Sequence, residues 1–421
     1  MKFKLIYPKW AKLARQTEFH LPPHGPVVFA AALPQDVDVV FVDENLEAID
    51  FDDPVDFVGI SMMLSIQVKR GWAIADAYRE KGVKVIFGGI ATMLHAEETA
   101  GHADAVFLGE AEGRMEKVFD DFKNDSLQPV YDYLNEQPPI EWVGPARRDI
   151  LKKDFYNYKG IQMVDLVHAS RGCRFNCYPC AVAYLGGRKF RPRPIDTVID
   201  EMAGIRNNRL FLVDNSLSQD TQWEKDLFTE MIPLKKKWCC HPIEDKPEVL
   251  DLAARAGAWY VYQAVFDTSD LIRERIRRYH DHGIAVEGTI LLGLDSHTED
   301  FIKELIDFLL EIELDLAEFT VLTPFPHTRA YQQLEAENRI FSYNWDDYTA
   351  DKVVYHPKQI SAERLQELLF YAWDTFYAQT SQQLCMSKLF QQVIRKEKAD
   401  NTYQPRDRSL INQAFGRPLR Q

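Results

Sequence analysis

Short apolar runs alternate with helical segments along the first quarter of the chain. Runs of strand length cover residues 2–7, 37–42, 57–61, 83–87 and 105–108. An apolar stripe with helical spacing lies between two of them and consists of Val68, Trp72, Ile74, Ala75 and Tyr78. Gly82 follows this stripe, as expected where a helix ends. The alternation predicts a parallel, doubly wound sheet, which binds its ligands beyond the carboxyl ends of the strands.

The same alternation resumes after a polar stretch at residues 123–148 that contains several prolines. Six further strand-like runs cover residues 164–169, 210–213, 238–241, 259–265, 286–292 and 319–322. Helical segments separate them, for example at residues 298–311. Six parallel strands with intervening helices predict an incomplete barrel, whose chemistry lies at the carboxyl ends of its strands.

The sequence therefore predicts an α/β protein with four consecutive parts. A Rossmann-like, doubly wound parallel sheet occupies residues 1–125, and a connector follows at residues 126–160. A partial (β/α)6 barrel of the TIM type occupies residues 161–330. Residues 331–421 are predicted to be mostly helical, because long segments of helical periodicity replace the strands there.

Composition narrows the class of protein. The 421 residues suffice for about two to three domains, and 46% hydrophobic with 27% charged residues is a globular balance. A formal net charge of −14 disfavours general binding to nucleic acid or to an anionic membrane, and the basic run at residues 188–193 is interpreted as a clamp for carboxylates or phosphates. No apolar run approaches the roughly 18 residues of a membrane span, and residues 1–8 are typical of a first strand rather than a signal peptide. We therefore expect a cytoplasmic protein without a transmembrane segment.

Three of the six cysteines, Cys173, Cys177 and Cys180, lie within eight residues. In a long cytosolic chain, such clustering indicates metal or redox chemistry rather than disulfides. Three thiolates on one loop can hold three irons of a cubane iron–sulfur cluster and leave the fourth iron free for a substrate or cofactor. A structural zinc site is one alternative, but it would need a fourth ligand and cysteine pairs separated by two residues. The other alternative is that the three cysteines are buried and chemically inert.

The cysteine motif and a series of shorter motifs resemble the radical S-adenosylmethionine superfamily, in particular the subgroup with an N-terminal cobalamin (B12)-binding-type domain. The superfamily carries C-x3-C-x2-C after the first strand of a partial barrel, which is where Cys173 stands. The other matching stretches are residues 21–25 (LPPHG), 58–61 (VGIS), 88–89 (GG), 108–113 (LGEAEG), 170–173 (SRGC), 187–194 (GRKFRPRP), 213–215 (VDN) and 322–328 (LTPFPHT). Each stretch is short, and their common order carries the resemblance.

The resemblance implies a [4Fe-4S] cluster on the three cysteines, with S-adenosylmethionine on its open iron. The residues that it assigns to S-adenosylmethionine are Tyr178, Pro179, Asp214, Asn215, Gln263, Gly288, Ile290, Leu322 and Thr323. Two positions depart from the family pattern: Pro179 stands where an aromatic residue is usual, and Gln263 stands where relatives often carry glutamate. A cap or a salt bridge is the structural alternative for Asp214, and tight strand packing is the alternative for Gly288.

The sequence leaves open whether the first domain binds cobalamin. The resemblance assigns the corrin face and the nucleotide tail to Ser61, Met62, Met63, Gly88, Gly89 and Glu110. The Asp-x-His-x-x-Gly loop that supplies a cobalt ligand is missing, and the three nearest histidines, His20, His24 and His95, lack that context. Ordinary packing at the sheet edge is the alternative for the methionines. For the first domain as a whole, the alternative is that it binds no cobalamin and only covers the open barrel.

The resemblance implies a radical S-adenosylmethionine enzyme that functionalises an unactivated carbon of an apolar substrate, with a one-electron reductant of the flavodoxin or ferredoxin type. The leading hypothesis is cobalamin-dependent methyl transfer to a tetrapyrrole, such as a bacteriochlorophyll intermediate, or to an isoprenoid lipid. The alternative is cobalamin-independent oxidation or hydroxylation of a tetrapyrrole side group. The intact cysteines disfavour a sensor that has lost radical chemistry. Modification of RNA would require an RNA-binding domain and a second cysteine set, and the sequence indicates neither.

Overall fold

Two parallel sheets organise the chain in a computed structural model that describes residues 1–11, 15, 21–158 and 161–410. The strands are β1 (Lys2–Tyr7), β2 (Asp38–Asp43), β3 (Phe57–Ser61), β4 (Lys84–Gly88), β5 (Ala105–Leu108), β6 (Val130–Asp132), β7 (Asp165–Val167), β8 (Ser170–Arg171), β9 (Arg191–Pro192), β10 (Arg209–Leu212), β11 (Lys237–Cys240), β12 (Ala258–Ala264), β13 (Ala285–Leu292) and β14 (Leu316–Val321). The α-helices are α1 (His24–Ala31), α2 (Val68–Glu80), α3 (Ile90–Leu94), α4 (Ala96–Ala100), α5 (Met115–Lys123), α6 (Val182–Leu185), α7 (Ile195–Gly204), α8 (Thr221–Met231), α9 (Pro247–Ala256), α10 (Asp270–Asp281), α11 (Glu299–Glu311), α12 (Arg329–Ala336), α13 (Ala362–Phe376) and α14 (Gln382–Ala399).

The first sheet has the strand order β2-β1-β3-β4-β5-β6, and all of its pairs are parallel. Alternate side chains of a strand pack on opposite faces of the sheet. Phe3 of β1 therefore packs with Phe119 of α5 on one face, whereas Ile6 packs with Ile74 of α2 on the other. The prediction of a doubly wound parallel sheet is confirmed.

Strand β6 extends this sheet beyond the predicted boundary at residue 125. It pairs in parallel with β5 and lies in the stretch that the sequence assigns to the connector. Only Tyr131 of its three residues is buried, so no apolar run indicates a strand there. The parallel pairing shows that residues 130–132 belong to the first sheet.

The second sheet has the strand order β14-β13-β12-β11-β10-β7, and its pairs are again all parallel. Its outer side chains pack against the helices, as Val261 and Phe319 do with Ile276 of α10 and Leu305 of α11. Strands β7 and β14 form its two edges and do not pair with each other among the described residues. The prediction of an incomplete, six-stranded parallel barrel is confirmed.

Helix α14, the last α-helix that the structure describes, closes the amino-terminal end of the barrel. Leu389 and Val393 of α14 pack against Leu316 of β14 on the inner side of the sheet. An ion pair of 2.7 Å between Arg209 of β10 and Glu397 of α14, whose side chains are 4% and 0% exposed, fixes the helix there. Among the helices that the structure describes, none combines the length and the apolarity that crossing a membrane requires.

Candidate active site

The three clustered cysteines lie on a loop that a short ladder closes at its base. Strand β8 pairs with β9 in antiparallel orientation, so the chain from Gly172 to Phe190 leaves the barrel and returns to it. Gly172 has a φ of +74°, and a side chain there would collide with the carbonyl oxygen of Lys189. Only glycine meets both conditions, because it alone adopts this backbone conformation without strain and needs no space for a Cβ.

The three thiols of this loop differ in burial. Cys173 is buried, Cys177 and Cys180 are exposed, and all three are free. Although Cys180 is exposed as a residue, the partial burial of its thiol raises the pKa of that thiol, and the charges of Cys177 and Cys173 act in the same direction. Among the residues that the structure describes, no group of three or more His, Cys, Asp or Glu side chains is arranged to hold a metal ion. The residues fit an iron–sulfur cluster, in which each thiolate binds a different iron.

Asp214, which follows β10, holds the base of the cysteine loop. Its carboxylate accepts hydrogen bonds from the backbone N–H of Ala169 and from the hydroxyl of Ser170. Burial raises the pKa of Asp214 to about 6, although these hydrogen bonds oppose the shift. Farther along the same connection, Gln219 accepts from the backbone N–H of Arg174 at 2.9 Å. The loop after β10 therefore positions the loop after β7.

A cavity of about 380 Å³ lies between the carboxyl ends of the first sheet and the base of the cysteine loop. Its lining is mainly apolar, with Leu5, Ile60, Phe107 and Met115 on the side of the first sheet and Gly172, Val182, Val213 and Asn215 on the side of the barrel. Two lining glycines shape it, because an added Cβ at Gly25 or Gly88 would meet no atom within 4 Å. Side chains at these positions would therefore fill the cavity.

An ion network joins the two halves of the chain at the rim of this cavity. Arg171 donates to Glu110 at 2.7 Å and to Glu112 at 3.0 and 2.6 Å, and Arg191 donates to Glu110 as well. Burial pushes the pKa of Glu110 upward, but the hydrogen bonds and charges of Arg191 and Arg171 outweigh it and hold the pKa below its usual range. Arg193, from the same basic run, pairs with buried Glu201 at 2.8 Å. These arginines already have carboxylate partners within the chain.

Known proteins are similar to this chain over most of its length. A scan against protein-family models finds no match. The bacteriochlorophyllide d C-12(1)-methyltransferase of Chlorobaculum tepidum is 26% identical over 359 residues, which cover 78% of this chain and 77% of that one. The hopanoid C-2 methylase of Rhodopseudomonas palustris is 24% identical over 376 residues, or 81% of this chain and 69% of that one.

A solved structure has the same fold. The radical S-adenosylmethionine methyltransferase TsrM of Kitasatospora setae, whose structure holds cobalamin and a [4Fe-4S] cluster, superposes with a TM-score of 0.65 at 14% identity and covers 90% of this chain and 88% of its own. The chain thus shares the fold of this methyltransferase and is similar in sequence to the two named above. The resemblance that the cysteine motif indicates is confirmed at the level of fold and sequence similarity.

Three of the residues assigned to S-adenosylmethionine lie on the outer face of the barrel. Gln263 lies two residues from both Val261 and Val265 and therefore points to the same face of its strand. Val261 and Val265 belong to the core under the helices, and Ile290 lies in that same core. A Cβ at Gly288 would meet the side chains of Leu314, Ile290 and Val265. Their assignment to S-adenosylmethionine stays a prediction, and these positions face the helices rather than the barrel interior. The Gln263 amide donates to the carbonyl of Ala264, so only main-chain atoms of these positions can meet a ligand inside.

The remaining assigned residues lie near the cysteine loop or on the last strand. Asn215 is exposed and lines the cavity, and Pro179 is partly exposed beside Cys180. The Tyr178 hydroxyl donates to Gln333 of α12 at 2.9 Å. Leu322 and Thr323 are buried directly after β14. Their roles toward S-adenosylmethionine remain predictions. That of Asp214 also remains a prediction, because its carboxylate bonds Ala169 and Ser170 next to β7 and caps no helix that the structure describes.

Alternation along the strands identifies inner residues that the sequence analysis did not assign to the site. The ring of Phe211 stacks on Tyr262 with centroids 5.4 Å apart, and His241 meets the edge of both rings. The Tyr260 hydroxyl donates to Glu287. Burial raises the pKa of Glu287 to about 8, and the charge on nearby Glu318 adds to the shift. Along each strand, apolar residues that face the helices alternate with residues that face the barrel interior. This alternation is the sequence signal that could have identified the inner residues.

The residues assigned to cobalamin divide into two groups. Ser61, Gly88, Gly89 and Glu110 line the cavity. Met62 is fully buried in the core around α2, and Met63 is 50% exposed, so neither lines the cavity. Their assignment to cobalamin stays a prediction, with sheet-edge packing as the alternative. Of the three histidines, His20 lies outside the described residues, and His95 bonds Ser65 at 2.8 Å. His24 lies in the cavity wall.

Proposed function

We propose that this chain is a radical S-adenosylmethionine enzyme that transfers a methyl group to an unactivated carbon of an apolar substrate, a tetrapyrrole or an isoprenoid lipid, with the help of cobalamin. The observation that carries the proposal is the cavity that joins the glycine-lined end of the first sheet to the base of the cysteine loop. A ligand there lies against both halves of the chain. The named activities of the bacteriochlorophyllide and hopanoid methyltransferases support the reaction and the substrate class.

The chain's own residues have three tasks in this function. Cys173, Cys177 and Cys180 would hold the cluster, while Asp214 fixes the backbone from which their loop starts. The apolar cavity wall would hold cobalamin, and the space above Gly88 would accept part of it. When bound, these groups supply radical and methyl-transfer chemistry, and the protein binds them, orients them and excludes water.

The inner face of the barrel suits an apolar, aromatic substrate. Phe211 and Tyr262 present stacked rings there and remain partly exposed, whereas their outward-facing neighbours are buried. Flat conjugated ligands stack favourably on such rings. On the outer side of the cysteine loop, Phe175 is 56% exposed beside Cys177, which leaves an approach for a one-electron reductant of the flavodoxin or ferredoxin type.

The test begins with anaerobic purification in the presence of hydroxocobalamin, followed by iron, sulfide and cobalt analysis. About four irons and one cobalt per chain are expected. The loaded enzyme is then incubated with a low-potential reductant, S-adenosylmethionine carrying a trideuterated methyl group, and either bacteriochlorophyllide d or a hopanoid. Mass spectrometry should detect the trideuterated methyl group on one of the two substrates.

Cobalt below stoichiometry with full iron, together with an oxidised and unmethylated tetrapyrrole, would replace the proposal by cobalamin-independent oxidation. Cleavage of S-adenosylmethionine without modification of either substrate would overturn the substrate class and leave the cofactors in place. These results separate the reaction type from the substrate.

A further inference from the structure

Helix α12 contacts the cysteine loop through two side chains that lie one helical turn apart. The hydroxyl of Tyr178 donates to Oε1 of Gln333 at 2.9 Å, and Nη1 of Arg329 donates to the backbone carbonyl of Asn176 at 3.5 Å. Residues four positions apart share one face of a helix, so a single face of α12 meets the loop.

The chain segment that makes these contacts is itself anchored. Ala330 and Leu334 of α12 are buried in the barrel core. Directly before the N-cap of the helix, His327 has a left-handed backbone conformation with a φ of +66°, which residues other than glycine seldom adopt. Its ring stacks on Tyr184 of α6 with centroids 4.2 Å apart, so the segment meets the chain that follows the cysteines as well. The segment is therefore a fixed support for the loop.

Tyr178 lies within the turn that joins two of the three cysteines. The backbone N–H of Cys180 donates to the carbonyl of Cys177 at 3.2 Å and closes this turn. The ring of Tyr178 packs against the barrel core, while its hydroxyl bonds Gln333. A hydrogen bond that fixes Tyr178 therefore also fixes how the two neighbouring thiols are placed relative to the barrel.

The amide of Gln333 reaches a second loop on its other side. Its Nε2 donates to Asp295 at 3.5 Å, in the loop that follows β13, and to Glu337 at 3.1 Å. Arg339 donates to both carboxylate oxygens of Asp295, at 3.0 and 2.5 Å, and Lys358 pairs with the same carboxylate at 3.0 Å. One side chain, Gln333, thus connects the cysteine loop with the carboxyl end of β13.

We infer that Gln333 is a positioning residue for S-adenosylmethionine. The inference rests on the proposed function, in which the cysteine loop holds the cluster and the cofactor lies between the open iron and the last barrel strands. A ligand that spans two loops binds tightly when their separation already matches it, because less ordering of the chain then opposes binding. By bonding to both loops, the Gln333 amide holds that separation without touching the ligand.

The test uses the anaerobically reconstituted full chain and four variants of it. They are Gln333→Leu, Tyr178→Phe, the double variant and Gln332→Leu. Gln332→Leu is the matched control, because Gln332 is the exposed neighbour of Gln333 on α12. Iron and sulfide content and the equilibrium binding of S-adenosylmethionine are measured for each. The electron paramagnetic resonance spectrum of the reduced cluster, recorded with and without S-adenosylmethionine, is the readout that loop stability alone would not change.

We expect Gln333→Leu to retain about four irons per chain and to bind S-adenosylmethionine about tenfold more weakly than the wild type. The spectral change that the cofactor causes in the wild type should require a correspondingly higher concentration. Tyr178→Phe should weaken binding in the same direction. The double variant should bind no more weakly than Gln333→Leu, because both changes break the same connection. Gln332→Leu should behave as the wild type does.

Three results would overturn the inference. Wild-type affinity in Gln333→Leu would show that the connection does not serve the cofactor. Iron content that falls together with affinity would show that Gln333 acts in the assembly of the cluster. Losses that multiply in the double variant would show that Tyr178 and Gln333 act independently.

Failure of the proposed function has a different signature. A wild type that assembles no cluster, or that binds no S-adenosylmethionine, would overturn the proposed function and this inference with it. A wild type that binds the cofactor, compared with a Gln333→Leu variant that binds it equally well, would overturn this inference alone.

Discussion

The carboxylate of Asp214 lies against the backbone nitrogen of Ala169, with both oxygens at 3.1 Å. The two residues are 45 positions apart, and their contact links the second strand of the barrel to the start of the cysteine loop. The position of the thiols therefore depends on a buried hydrogen bond that none of the cysteines makes.

Replacement of Asp214 by alanine should destabilise this junction. The N–H of Ala169 and the hydroxyl of Ser170 would lose their acceptor, which costs about 1–3 kcal/mol in the free energy of unfolding. Asp214→Asn keeps one acceptor oxygen and should lose less. Denaturant titration and iron content after reconstitution measure both effects, and exposed Asp226→Ala on α8 is the control. Equal losses in the Asn and Ala variants would contradict the role of Asp214 as the hydrogen-bond acceptor for Ala169 and Ser170.

Cys177→Ala should abolish cluster assembly and the cleavage of S-adenosylmethionine. The exposed thiol is one of three donors, and the remaining two cannot hold three irons. Iron and sulfide analysis and the formation of 5′-deoxyadenosine measure the outcome. Cys385→Ala, on α14 and away from the loop, should retain both properties. Undiminished cleavage in Cys177→Ala would refute the assignment of the cluster.

Gly88→Val should reduce cobalamin retention by about tenfold or more without reducing iron content. The new side chain would occupy open space in the cavity, since no atom lies within 4 Å of the position of its Cβ. Gly144→Val is the matched control, because Gly144 also has open space around it but lies outside the lining. Cobalt analysis after size-exclusion chromatography measures the difference. Full cobalt in Gly88→Val would place cobalamin elsewhere.

Glu287→Gln should change how stability depends on pH. Glu287 has a folded-state pKa of about 8 and an ordinary value of 4.5, so between these values the unfolded chain has released a proton that the folded chain retains. The contribution of this group to stability therefore falls as pH rises through that window. The variant lacks this loss, and its stability relative to the wild type should increase from about pH 5 to about pH 8.

Urea titrations across this range measure the effect, with exposed Glu230→Gln on α8 as the control. A constant difference between Glu287→Gln and the wild type at all pH values would show that Glu287 ionises in the folded protein as it does in the unfolded chain.

The sequence by itself determined the two parallel sheets, the order in which they follow each other along the chain, and the cysteine motif. Each is a local property: apolar runs alternate with helical periodicity, and the three thiols lie within one turn-rich loop. The short strand β6 was missed because only Tyr131 is buried in it.

Only the tertiary structure decided which side chains face each other. Gln263 and Tyr262 are neighbours in the chain, yet one lies under the helices and the other inside the barrel, because a strand turns successive side chains to opposite faces. His24 and His168 are 144 residues apart and meet through the packing of α1 against the barrel. No local pattern encodes such a meeting, since it follows from how the two sheets close on one cavity.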